Sequence, residues 1–141
     1  MSWSVHLLRT VECMAKYLHP NQLGEAIGKE LGLYAERVAE GVDAAGEKAV
    51  KDLVKKTKAT APKKTGDYKR RITWTMQSGL KGMKNFIWHV KAPDYRLTHL
   101  LVHGHATVNG GRTKGDPFLH NAVDEVLPAY ERDVEEAIKN A

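Results

Sequence analysis

Apolar residues recur at steps of three and four along most of the chain, and the step changes to two only in the middle. Trp3, Leu7, Val11, Met14 and Leu18 form a first helical stripe, ended by His19-Pro20. Asn21 follows as an N-cap candidate. A longer stripe then runs through Leu23, Ile27, Leu31, Ala35, Val38, Val42, Ala45, Ala49 and Leu53 without a break. The spacing predicts one helix over 22–59, about 55 Å long at 1.5 Å per residue. Gly24, Gly28, Gly32, Gly41 and Gly46 weaken it by roughly 1 kcal/mol each relative to alanine. Packing along its length must therefore hold it. Gly24, Gly28 and Gly32 lie at i, i+4 and i+8. They either make a smooth edge for another backbone or mark a broken helix start.

Ala61-Pro62 ends the helix, because proline lacks a donor and restricts the residue before it. KKTGD reads as a polar turn. From Tyr68 the step is two: Tyr68, Ile72, Trp74 and Met76 share one face, and Lys69, Arg71, Thr73, Thr75 and Gln77 the other. That is a half-buried strand. SGLKGMK is a loop. Phe86, Trp88 and Val90 then alternate with Asn85, His89 and Lys91 as a second, antiparallel strand, with Ile87 off the pattern. Ala92-Pro93-Asp94 breaks it.

Residues 95–103 fit a short helix through Leu97, Leu100 and Leu101, or a strand through Leu97, His99, Leu101 and His103; the helix is preferred. Asn109-Gly110 signals a turn in the loop that follows. Asp116-Pro117 reads as N-cap and first helical position. Leu119, Ala122, Val123, Val126, Leu127, Tyr130, Val134 and Ile138 carry one stripe to the end, with Pro128 as a kink. The order predicts an α+β fold, with a long N-terminal helix and a C-terminal helix packed on a small antiparallel sheet. The expected organisation is a single domain over 1–141: an N-terminal helical extension (1–20), the long helix (22–59), the sheet with loops (67–112) and the C-terminal helix (117–140).

Composition narrows the class. A chain of 141 residues fits one domain with one core. Its apolar runs are shorter than the ~20 residues of a membrane helix, and the N-terminus does not read as a secretory signal. A single cysteine, Cys13, cannot form an internal disulfide and lies at helical spacing among apolar residues, so it reads as packing in an intracellular protein. The net charge is +5 and uneven. Lys55 to Arg71 holds eight basic residues against Asp67 alone. Asp124 to Glu136 holds six acids against Arg132 alone. The basic surface could meet nucleic acid, or the two surfaces could meet on neighbouring copies, as a head-to-tail ring requires.

Candidate chemistry is sparse. His99 and His103 share a helical face and, with His105, could bind zinc. Leu100 stands where the HExxH motif needs glutamate, and no base lies close, so ordinary helix-end and loop histidines are the better reading. NGGRTKG exposes backbone N–H groups beside Arg112 and Lys114, but it lacks P-loop spacing and runs into Asp116. The basic run beside Trp74 could bind a single strand by charge and stacking through Lys63, Lys64, Lys69, Arg70 and Arg71. Trp74 shares its face with Ile72 and Met76, which favours core. No nucleophile motif or carboxylate pair is present. The chain is expected to be no enzyme and to need no metal or other cofactor.

Two motif clusters carry a resemblance. The first is Ala61, Pro62, Thr65, Gly66 and Tyr68. The second is Tyr95 to Ala106 (YRLTHLLVHGHA), followed by Asn109 to Arg112 (NGGR) and Pro117 to Leu119 (PFL). In this order, over about residues 30–140, they resemble the small head–tail joining proteins of tailed phages and prophages, also called neck or tail-completion proteins. Val102 stands where such proteins often carry glutamate, which removes the acid that an inter-subunit salt bridge would need there. The resemblance implies a virion component that assembles as a homo-oligomeric ring in the host cytoplasm. Its neighbours would be head-connector and tail-tube or terminator proteins, with DNA passing through the channel and no membrane involved. Loops 78–84 and 104–115 are then the expected contact segments, through Leu80, Lys81, Met83, His103, His105, Arg112 and Lys114.

Overall fold

A computed structural model describes residues 19–63, 66–79 and 82–141. The stripe of residues 3–18 lies outside the described residues. In chain order the elements are a 3₁₀ turn (Pro20–Gln22), helix α1 (Leu23–Thr60), a helical turn α2 (Asp67–Arg71), strand β1 (Ile72–Ser78), strand β2 (Lys84–Val90), a second 3₁₀ turn (Asp94–Leu97), helix α3 (Thr98–His103) and helix α4 (Phe118–Asn140). This is the expected α+β architecture.

The chain divides into two compact units, residues 1–37 and 38–141. In the first, the helix begins differently from the sequence expectation. Asn21 caps nothing; it lies inside the 3₁₀ turn that Pro20 opens, closed by Gln22 N–H donating to the His19 carbonyl at 2.8 Å. Proline suits that position because its missing N–H would be unpaired there anyway. Leu23, Ile27 and Leu31 are each more than half exposed. The backbone stays helical through Gly24, Gly28 and Gly32, and a Cβ added at any of them meets nothing among the described residues. The Gly24→Ala, Gly28→Ala, Gly32→Ala triple variant should therefore gain helix stability, roughly 1 kcal/mol per site. Circular dichroism melts will read this as a higher midpoint. A lower midpoint would show that another backbone lies against this edge.

In the second unit, α1 packs from Val38 onward against β2 and α4. Two glycines permit close approach: a Cβ at Gly46 would lie 2.8 Å from the Phe86 ring, and one at Gly41 would lie 2.7 Å from Ala137 Cβ. Lys84 reaches Asp43 at 3.0 Å, and Lys48 reaches Asp133 at 2.7 Å. The hydrogen bond and charge of Asp133 raise the Lys48 pKa. Lys56 pairs with Glu125. This last pair joins the basic segment to the acidic one within a single chain.

β1 and β2 form a two-stranded antiparallel sheet with Trp74 opposite Trp88 and Met76 opposite Phe86. The face carrying Ile72, Trp74, Phe86, Trp88 and Val90 turns to α1. There Trp88 Nε1–H donates to Thr57 Oγ1 at 3.1 Å, and Lys51 Nζ lies 5.9 Å from the Trp74 ring centroid. The opposite face is polar, with Thr75 Oγ1 and His89 Nε2 2.5 Å apart. Ile87, off the alternating pattern, belongs to this outer face and is 38% exposed.

β1 starts at Ile72, four residues later than the alternation suggests. Gly66 takes a left-handed conformation (φ 81°), and Asp67–Arg71 then turn helically, with Arg70 paired to Asp67. Tyr68 and Ile72 still share a face, because a separation of four aligns residues on both a helix and a strand. Together with Ala61, Val90 and Phe118 they make the buried core. Tyr68 packs edge-on to Phe118, with centroids 6.3 Å apart, and its hydroxyl donates to Thr98 Oγ1 at 3.1 Å. Burial pushes the Tyr68 phenol pKa up.

α4 begins at Phe118, with Pro117 at the N-cap and no side-chain cap, so Asp116 does not cap as expected. The Asp116 N–H instead donates to the Leu101 carbonyl at 2.8 Å, tying the strand of chain before α4 to α3. α4 runs unbroken through Pro128. Proline there deprives the Asp124 carbonyl of its intrahelical partner. Asp124 is exposed, so water can replace that partner.

Candidate functional site

Three surfaces lie on the second unit: a hairpin tip, a pinned loop and an apolar groove. The tip joins β1 to β2. Gly79 N–H donates to the Met83 carbonyl at 2.6 Å, and Gly82 is left-handed. Met83 is 64% exposed and Met76, just inside the strand, 49%. Leu80 and Lys81 lie outside the described residues.

The loop over 104–116 is closed at its base by two glycines. Gly104 is buried with φ 70° and ψ 169°, a region open only to glycine. A Cβ there would fall inside the van der Waals surface of the Thr113 carbonyl, and one at Gly115 inside that of the Val102 carbonyl. Above the base, Thr113 holds the strands together. Its hydroxyl accepts from His105 N–H at 2.9 Å and lies 3.0 Å from His105 Nδ1, and its N–H donates to the His105 carbonyl at 2.8 Å. Ala106 and Arg112 form an isolated bridge, and Gly110 (φ 81°) makes the turn that Asn109-Gly110 signals. Arg112 and Lys114 are exposed on this frame. His103 stands at the end of α3, its ring 6.1 Å from that of His120. Among the described residues, no three His, Cys, Asp or Glu side chains converge on a point.

Three of the basic residues proposed from sequence for nucleic-acid contact are held by partners of their own chain. Lys69 donates to the Ala59 carbonyl at 3.0 Å, closing the end of α1. Arg70 is paired to Asp67, and Arg71 to Asp94 at 3.3 Å and the Ala92 carbonyl at 2.6 Å. Lys63 is exposed; Lys64 lies outside the described residues.

The groove was not legible as a site. It lies between α1, β2 and α4, holds about 400 Å³, and is lined by Phe86, Trp88, Val123, Leu127 and Tyr130 over a floor that includes Gly46 and Leu53. Leu127 is 45% and Val123 38% exposed. The available signal was the width of the α4 stripe. Ala122 and Val126 are buried and Ala137 lies against Gly41 of α1; Val123, Leu127 and Ile138 add a second apolar line beside them. The groove's polar groups are few, and Lys84 is already held by Asp43. Small-molecule sites need convergent polar groups to orient a ligand. An apolar patch with a charged rim has the composition of a protein interface.

A family model described as "Bacteriophage HK97-gp10, putative tail-component" matches residues 25–100, more than half of the 141. The chain belongs to this family. The matched span holds most of α1, the whole sheet and the first half of α3, so family membership rests on the scaffold that presents the hairpin tip. Neither the curated proteins nor the solved structures contain a match. As a phage tail component the protein is a structural part of the virion. No helix among the described residues is long and apolar enough to cross a membrane.

Proposed function

We propose that this family member is a non-enzymatic ring subunit that completes the tail or joins it to the head. It would assemble in the host cytoplasm between head-connector and tail-tube or terminator proteins, with DNA passing through the ring. The observation carrying this reading is the family match, over a scaffold that leaves Met76, Met83 and Leu127 exposed. Met83 on the tip and Arg112 and Lys114 on the pinned loop are the proposed partner contacts, with His103 and His105 at the loop base and Leu80 and Lys81 completing the tip by sequence. The alternative, nucleic-acid binding by Lys55 to Arg71, draws on fewer free charges, since Arg70 and Arg71 face acids of their own chain. Such binding depends on cations free to displace counterions from phosphates.

Deleting residues 107–114 tests the reading. Gly115 lies against the Val102 carbonyl and Gly104 N independently of residues 107–114, so the base can stay closed without them. The variant should keep its thermal midpoint within a few degrees and yet leave filled heads and free tails unjoined in a complementation assay. Wild-type yields of infectious particles would refute the proposed role of the loop.

A further inference from the structure

We propose that the groove between α1, β2 and α4 receives the 104–115 loop of a second copy of this chain. The inference rests on the self-assembling reading above and names the surface on which the loop docks.

Charge and shape both select this occupant. Asp124 lies three residues before Leu127 on α4, and Glu131 four residues after it, so both flank the apolar wall of the groove. Among the described residues neither acid has an ion-pair partner, whereas Glu125 and Asp133, elsewhere on α4, are paired to Lys56 and Lys48. Lys84 also lines the groove, but Asp43 neutralises it at 3.0 Å. The groove is therefore an apolar trough beside an uncompensated acidic rim. The loop has the reverse character. From Gly104 to Gly115 it carries Arg112 and Lys114 and no acid. Both cations are exposed, and neither has an ion-pair partner among the described residues. The next acid, Asp116, lies past the base, where its N–H is bound to the Leu101 carbonyl. Val108, beside the Asn109-Gly110 turn, is exposed over its whole surface, so it does not fill the groove of its own chain. The backbone around it is fixed: Thr107 N–H donates to the Gly111 carbonyl at 2.8 Å, and Gly110 N–H to the Thr107 carbonyl at 3.1 Å. A loop already held in one shape loses little entropy on docking. Val108 supplies the trough, and Arg112 and Lys114 the rim. No residue of the loop lines the groove, so the contact is heterologous. Repeated from copy to copy, it closes a ring or extends a filament.

Disulfide trapping between two full-length proteins tests this. Both carry Cys13→Ser, so that only introduced thiols can pair; one adds Val108→Cys and the other Leu127→Cys. Mixed under mild oxidation, they should form the mixed disulfide about tenfold faster than either homodimer, since only that pair is held at high effective concentration. Asp124→Lys with Glu131→Lys on the groove partner should slow the link severalfold, and Arg112→Glu with Lys114→Glu on the loop partner should restore it. Homodimers that outpace the mixed species would indicate a two-fold contact, and no link above the level in denaturant would indicate another occupant. Either result overturns the proposal, as does a charge swap without rescue. A chain required for head–tail joining that gives no mixed disulfide loses only this contact. A mixed disulfide in a chain dispensable for particle formation removes the proposed function instead.

Discussion

Gly104→Ala is expected to open the 104–116 loop at its base and abolish assembly, although it adds a single methyl group. Two costs coincide. The backbone at φ 70° and ψ 169° is strained for any residue with a Cβ, which costs roughly 1–3 kcal/mol. The methyl would also collide with the Thr113 carbonyl and approach Gly115 N to 2.9 Å. Those atoms are backbone and cannot rotate away, so overpacking adds a similar amount. The loop must detach from the end of α3, breaking the bond from Asp116 N–H to Leu101. Limited proteolysis should show cleavage within 104–116 that the wild type resists. Gly110→Ala is the control: its φ is 81°, but its Cβ meets nothing among the described residues. It should cost only about 1–2 kcal/mol and leave the base closed. Equal effects of the two substitutions would mean that the glycine pair does not hold the loop.

Phe118→Ala should be the most destabilising side-chain truncation. Phe118 is 2% exposed and joins α4 to the core made with Ala61, Tyr68, Ile72 and Val90. Truncating a buried phenylalanine costs about 3–5 kcal/mol through lost transfer energy and the cavity left behind. Domains are stable by only about 5–15 kcal/mol, so this consumes much of the margin. The melting midpoint should fall by on the order of 15 °C. Ile72→Val, at a fully buried neighbour, should cost only about 0.5–1.5 kcal/mol. A midpoint for Phe118→Ala within a few degrees of wild type would show that stability resides elsewhere, for example along α1.

The two predictions bear on parts that differed in their legibility from sequence. α1 was readable because its apolar steps never leave three or four from Leu23 to Leu53, and the sheet because Trp74, Phe86, Trp88 and Val90 alternate cleanly. Phe118 was read as part of PFL, but its place at the centre of the core was not, since that depends on which elements meet. The start of β1 was misplaced because the Tyr68–Ile72 spacing suits a helix and a strand equally; the left-handed Gly66 decides between them. The expected cap at Asp116 is displaced by one residue, because the helix starts at Phe118 with Pro117 in the N-cap position. The loop was visible as a run of glycines, but the pairing of Gly104 with Gly115 across it was not. The same holds for the link between His105 and Thr113, eight residues apart. The groove was hidden because its walls come from three separated segments, each of which reads as ordinary core.

The central claim is that these surfaces exist to contact other virion subunits. Locating and counting the chain in purified particles tests it most directly, by quantitative mass spectrometry together with labelled electron micrographs. Several copies per particle, confined to the junction of head and tail, are the expected result. Infectious particles that lack the chain, or a chain spread along the length of the tail, would contradict the account.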